Sequence, residues 1–158
     1  MRLSFAAVLA LATLLCQPVV AEPRTRLTPD ETAALARGGA GAGASGLPGI
    51  ETTILSGDPD KPGIYTIRVM VPAHRLVKPH THRDDRTATV VSGVWWLAYG
   101  SVVNAADFKP LPPGSFYTEP AATAHYARTG DQFAVVLITG YGPSDTVYVD
   151  AADDPRDR

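Results

Sequence analysis

Residues 78–93 read KPHTHRDDRTATVVSG. Thr, Ala and Val alternate from Thr87 to Val91, and Ser92-Gly93 closes the run with turn residues, so the stretch reads as extended chain. In a strand, residues i and i+2 share a face. His80 and His82 therefore project together, and Pro79 ahead of them places this strand at an edge or rim. Two neutral imidazoles on one face suit a divalent metal, with zinc–nitrogen distances of about 2.0–2.1 Å. Packed or solvated histidines give the same pattern, so the pair acquires meaning only with a third ligand.

The same reading extends in both directions. IETTIL, IYTIRVMV, SFYTEP, AHYART, QFAVVLITG and DTVYVD follow one another at short spacing, separated by SGDPDKPG, FKPLPPG and other Pro- and Gly-rich turns. TATVVSGVWWLAYG reads as two strands joined in a hairpin at Ser92-Gly93. No segment after Gly49 offers a helix of ten residues. About nine short strands predict an all-β, antiparallel sandwich or barrel over residues 50–150, with a jelly-roll barrel the leading form.

The remaining segments are simpler. Residues 1–21 carry a basic Arg2, an apolar run from Leu3 to Leu15 and Val19-Val20-Ala21 before Glu22, the pattern of a secretory signal peptide. The apolar run is short for a membrane span, although an uncleaved anchor is the alternative. Leu15 ahead of Cys16 argues against lipidation. Cleavage after Ala21 removes Cys16, the only cysteine, and with it disulfides, thiolate catalysis and thiolate metal ligands. The mature chain is expected in the periplasm or outside the cell, with no membrane attachment. Within residues 22–49, Thr28, Pro29 and Glu31 form a helix-start signal for a short helix inside 27–37. Gly38-Gly39 ends it and opens a Gly/Ala-rich linker to residue 49. Residues 151–158 read as a frayed, solvated tail. A net charge of −2 recommends no nucleic-acid partner.

A third histidine completes the pattern. Gly114, Pro120 and His125 follow G-x5-P-x4-H, and His80, His82 and Gly93 follow H-x-H-x10-G. Together these resemble the two motifs of the cupin superfamily, G-x5-H-x-H-x3,4-E-x6-G and G-x5-P-x-G-x2-H-x3-N. The resemblance covers roughly residues 50–149. It implies a barrel holding one divalent ion (iron, zinc, manganese, nickel or copper) on His80, His82 and His125, and it implies a homodimer. The departures matter as much. His74 replaces the opening glycine, Ala122 the second glycine and Thr129 the asparagine. Arg86 stands at the position of the glutamate ligand. A guanidinium has no acceptor, so it binds no cation. The expected site then has three protein ligands and an open coordination position.

Several residues have more than one open reading. Arg86 pairs with Asp84 or Asp85 at the surface, with Glu119 across the barrel mouth, or with a substrate carboxylate. Glu119 is a strand-end carboxylate in water, a fourth ligand, or a general base. Tyr117 shares its side and supplies either a phenolic donor or core packing. Arg86, Glu119 and Tyr117 are thus the candidate catalytic residues. His74 is a surface residue or orients a ligand. Trp95 and Trp96 point to opposite faces, one inward. The expected function is an enzyme acting on a small organic molecule, with three-histidine iron dioxygenases the lead and lyase or isomerase chemistry open. The alternative is a non-catalytic ligand- or metal-binding module. A wide, polar, water-accessible barrel mouth favours the enzyme, and a plugged or wholly apolar interior favours a structural role.

Overall fold

The structure is a computed structural model and describes residues 24–39 and 41–157. The expected signal peptide and Cys16 lie outside the described residues. Among those residues no helix is long and apolar enough to cross a membrane.

Among the described residues a single short α-helix, α1 (Pro29–Ala34), precedes ten strands. Thr28 caps it through the expected box: its hydroxyl accepts from the Glu31 N–H, and the Glu31 carboxylate accepts from the Thr28 N–H. The helix ends sooner than the glycines suggest, because Leu35 already turns to extended backbone. It buries no residue.

The strands are β1 (Glu51–Ser56), β2 (Gly63–Val71), β3 (Leu76–Thr81), β4 (Arg86–Ser92) and β5 (Trp95–Tyr99). They continue with β6 (Lys109–Leu111), β7 (Phe116–Glu119), β8 (His125–Arg128), β9 (Ala134–Gly142) and β10 (Val147–Tyr148). They form two five-stranded antiparallel sheets, ordered β1-β2-β9-β4-β7 and β10-β3-β8-β5-β6. The all-β jelly-roll expectation holds, with ten strands where about nine were expected.

Period-2 alternation explains the layering. In β4, Arg86, Ala88 and Val90 are buried while Thr87, Thr89 and Val91 face water. In β7 the inward pair is Tyr117 and Glu119. Tyr65, Ile67, Val136 and Ile138 of the first sheet meet Val77, Trp95, Leu97 and Ala127 of the second in one apolar core. That core fills the interior toward one end. At the other end the inward residues turn polar.

The expected hairpin at Ser92-Gly93 is corrected by the topology. β4 and β5 belong to different sheets, so this turn is a corner that carries the chain from one layer to the other. Gly93 has φ of 71°, and a Cβ there would overlap the Phe133 carbonyl oxygen. A two-residue hairpin and an inter-sheet corner both call for glycine, which is why the local signal is ambiguous. Residues 151–157 are likewise more ordered than the frayed tail expected. They form two 3-10 turns, and Arg156 donates to Thr146 O at 2.7 Å.

Replacing Gly93 with Ala is expected to destabilise the fold by about 2–4 kcal/mol, from left-handed backbone strain and the carbonyl overlap. Urea unfolding monitored by circular dichroism checks this, and a loss under about 0.5 kcal/mol would contradict it.

Candidate metal centre

Two registers build the polar end of the barrel. In the second sheet His80 of β3 lies directly opposite His125 of β8, across an irregularity in β3 that spans Pro79. In the first sheet Arg86 of β4 lies directly opposite Glu119 of β7. His82, just beyond β3, bridges the two layers. All five side chains are buried. The three imidazoles offer ligand atoms within 4.8 Å of one another. Their ring centroids are 4.4–5.1 Å apart.

Each imidazole is oriented by a backbone carbonyl. Nδ1 of His80 donates to Lys78 O at 2.7 Å, Nδ1 of His82 to Asp145 O at 2.5 Å, and Nδ1 of His125 to Thr123 O at 3.1 Å. A carbonyl oxygen only accepts, so Nδ1 carries the proton in every ring. Burial first, reinforced by neighbouring positive charge, pulls His80 down to about 3 and His82 to about 2. These two rings are therefore neutral, and Nε2 presents a lone pair. This is how a protein orients and tunes metal-binding histidines. The Nε2 of His125 is buried and has no hydrogen-bond partner. A buried polar nitrogen left without a partner is costly, and coordination of an ion would satisfy it.

Arg86 changes the expected picture. Its Nε donates to Glu119 Oε2 at 2.6 Å, and its Nη2 contacts the same oxygen. Nη2 also donates to His82 Nε2 at 2.5 Å, and Nη1 to Gly43 O at 3.0 Å. Of the carboxylates within the chain considered for Arg86, it pairs with Glu119 and not with Asp84 or Asp85. The open coordination position expected at the missing glutamate is instead filled by guanidinium. His80 and His125 fit a divalent metal as they stand, while His82 fits once Nη2 leaves its lone pair.

Glu119 has Oε1 3.5 Å from His125 Nε2 and Oε2 3.7 Å from His82 Nε2, so it flanks the histidines. Burial alone would raise its pKa, but the Arg86 guanidinium paired with it holds it well below the usual carboxylate range. Paired in this way Glu119 is ionised and a weak base. Tyr117 lines the same cavity, and its hydroxyl is buried without a partner. Burial pushes that phenol well above its usual pKa, so it remains a neutral donor.

Other candidates lie elsewhere. His74 is exposed, with Nδ1 3.8 Å from the exposed Asp131, which supports its surface reading. Asp85 accepts from the Ala121 N–H at 2.8 Å. Asp84 is buried, accepting from Tyr65 and Ser144 at 2.7 Å each. Gly140 makes room for this, since a Cβ there would sit 2.5 Å from both Asp84 Oδ2 and the Tyr65 hydroxyl. Trp95 faces the cavity, while Trp96 stacks outside with the Arg128 guanidinium 4.6 Å from its ring centre.

The cavity at the histidines measures about 50 Å³ and is walled mainly by Val, Ile and Trp side chains. Its roof is Gly43, Ala44 and Ser45, part of the segment expected to be only a linker. Neither this roof nor the orienting carbonyls of Lys78, Thr123 and Asp145 were legible as site residues. Backbone carbonyls leave no side-chain signature, and the glycine spacing of residues 38–49 was the one signal present.

No family model matches this sequence, and no curated protein does either. Solved structures do resemble it. The polyketide cyclase RemF from Streptomyces resistomycificus superposes with a TM-score of 0.65 at 17% identity, over 84% of this chain and 90% of that one. An RmlC-like cupin from Shewanella frigidimarina gives 0.54 at 16% identity, over 76% and 92%. A sugar phosphate isomerase from a cupin superfamily, from Silicibacter pomeroyi, gives 0.55 at 17% identity, over 75% and 76%. The fold is therefore that of the cupins, and its histidine trio could hold a metal ion.

Two measurements check the electrostatics. Removing one member of a buried ion pair leaves an uncompensated charge, so Arg86→Met is expected to cost about 3–5 kcal/mol. Arg86→Met combined with Glu119→Leu should recover a large part of that loss. A double variant as unstable as the sum of the singles would contradict the pairing. The second concerns pH. The folded pKa values of His80 and His82 lie below the unfolded value of about 6.5, so the unfolded chain takes up protons first. Their contribution is full above about 6.5 and is lost as pH falls, by up to about 1.4 kcal/mol per unit for each ring. Thermal unfolding of metal-stripped protein should show Tm dropping steadily from pH 7 to 5, with a shallower slope in His80→Asn. A flat profile would show that the rings are not buried neutral.

Proposed function

We propose that this chain is a secreted, periplasmic cupin that binds one divalent metal on His80, His82 and His125 and acts on a small organic molecule. The observation that carries the reading is the set of three buried imidazoles, each fixed by an Nδ1–H bond to a carbonyl, with Nε2 turned toward a common space. A divalent metal there supplies a Lewis acid that polarises a bound oxygen. Iron with dioxygenase-like chemistry is the lead, by likeness to three-histidine iron cupins, and zinc would favour hydrolytic or lyase chemistry. The cyclase and isomerase among the structural neighbours support an enzyme in general terms.

The chain's own groups have distinct roles in this reading. Arg86 donates through Nη1 to an oxygen of the ligand and holds Glu119 ionised through Nε. Glu119 accepts a proton once Arg86 shifts away from it, because only then does its basicity rise. Tyr117 offers its unpartnered hydroxyl as a donor. The surrounding aliphatic wall excludes water. Secretion is supported by the basic residue and apolar run at residues 1–21. A homodimer is supported by the exposed Ile64, Phe116 and Tyr141 of the first sheet.

A second reading has its own observation. The Arg86 Nη2–His82 Nε2 bond and the small, roofed cavity favour a non-catalytic ligand-binding module in which guanidinium replaces the ion. Elemental analysis of protein purified from its native compartment decides between them. The proposal expects one divalent ion per chain, lost in His125→Ala and retained in Glu119→Gln if Glu119 is no ligand. Metal-free protein that takes up neither iron(II) nor zinc(II) at micromolar concentration would overturn it.

A further inference from the structure

The roof over the histidines is built to come off. A cavity of about 50 Å³ has room for only a few waters, since each needs about 10–15 Å³ on this measure. A benzene-sized ligand needs a cavity of roughly 150 Å³. Any organic ligand larger than a few atoms must therefore displace something, and the roof within residues 41–47 lies outside both sheets, anchored at its far end by Leu47 against the core. Its carbonyls are tied to the barrel through two side-chain donors, Arg86 to Gly43 O and Tyr148 to Ser45 O at 2.7 Å. Its flanks are fixed more firmly. Gly38 and Thr52 exchange two backbone bonds of 2.8 and 2.6 Å, and Ile50 is buried in the core. A loop with firm ends and a lightly tethered centre opens at low cost relative to the sheets.

The glycines make the closed form specific. Gly43 and Gly46 have φ of 69° and 72°. A Cβ on Gly43 would sit 2.9 Å from Ser144 Oγ and 3.1 Å from Arg86 Nη1, and one on Gly46 would sit 2.8 Å from Arg156 Cγ. Closed, the segment inserts Ala44, only 4% exposed, over the aliphatic wall. It also sets a carbonyl oxygen on the one arm of Arg86 not committed to Glu119 or His82. A buried guanidinium N–H must keep an acceptor. The Gly43 carbonyl thus stands where an acceptor oxygen of a ligand would stand.

We infer that residues 41–47 are a displaceable strap whose Gly43 carbonyl occupies, on Arg86 Nη1, the subsite for the carboxylate or carbonyl oxygen of a small ligand with an apolar body. The ligand's oxygen replaces the strap's on the guanidinium, and its body replaces Ala44 against Val69, Val71, Val136 and Ile138. This deepens the proposed function, resting on its claim that the cavity is the ligand site, but it does not require the metal.

Benzoate is the probe, with toluene as the analogue that lacks the oxygen, on full-length mature protein both as purified and stripped of metal. Hydrogen exchange read by mass spectrometry should show benzoate raising exchange across residues 41–47 while β3, β4 and β8 remain protected, and toluene should not do so. Gly43→Ala should open the strap without ligand and tighten benzoate about tenfold, because a closed majority lowers apparent affinity by the fraction competent to bind. Tyr148→Phe removes only the Ser45 tether and should act in the same direction more weakly, which keeps the test alive if Gly43→Ala misfolds. Benzoate binding that leaves strap exchange unchanged overturns the inference. So does unchanged exchange and affinity in both variants, or no benzoate binding to either. Strap opening in protein that binds no metal would sustain this inference while sinking the metal reading, and metal binding with a strap indifferent to benzoate would do the reverse.

Discussion

One guanidinium ties the polar end of this barrel together. Arg86 is buried, and its fork reaches Glu119 on the neighbouring strand, His82 beside the second sheet and Gly43 in the roof. A buried charge is tolerated only when paired and fully hydrogen-bonded. Each of those partners is consequently constrained by the need to satisfy the same group. Glu119 is held ionised, His82 keeps its Nε2 lone pair directed inward, and the roof is drawn down by its carbonyl. Substituting an arginine for a metal-ligating carboxylate thus changes more than a coordination number. It places positive charge where the site would otherwise carry a negative ligand, and it couples the histidines to the N-terminal segment.

The histidine trio expresses a second constraint. Two strands in register bring His80 and His125 face to face, and carbonyls outside the cavity fix the protonated nitrogen of each ring. Preorganisation of this kind lowers the cost of gathering three ligands around an ion. Competition between Arg86 and an ion for His82 is the corresponding cost. Whether the site holds metal is decided by that balance, since the aliphatic wall contributes nothing polar to either side.

Much of this was readable from residues 78–93 and their distant complement. Dense Pro/Gly punctuation and short strands pointed to the all-β architecture, and the convergence of His80, His82 and His125 followed from the resemblance of their two motifs to those of the cupins. Arg86 stood out because it occupies the position of that motif's glutamate ligand, and Glu119 because it is a carboxylate directly before Pro120 of the second motif. The choice of Glu119 over Asp84 or Asp85 was not readable, because it depends on register between β4 and β7. The sequence around Gly93 is equally compatible with a hairpin and with a corner between sheets, and only the pairing of β4 with β9 separates them. The roof was missed for a different reason. A stretch such as GGAGAGASG is the composition of a flexible spacer. Its glycines here serve left-handed backbone and close approach to Arg86, Ser144 and Arg156, which composition does not distinguish from flexibility.

The account stands on three imidazoles that each donate through Nδ1 to a carbonyl and aim Nε2 at one place. Long-range proton–nitrogen NMR correlation of the histidine side chains reads the tautomer of each ring directly. The structure predicts that His80, His82 and His125 all carry a proton on Nδ1 at pH 7, and that their three Nε2 resonances shift together on addition of zinc(II). An Nδ1 without a proton at any of the three, an imidazolium at His80 or His82, or a shift confined to one ring, would contradict it.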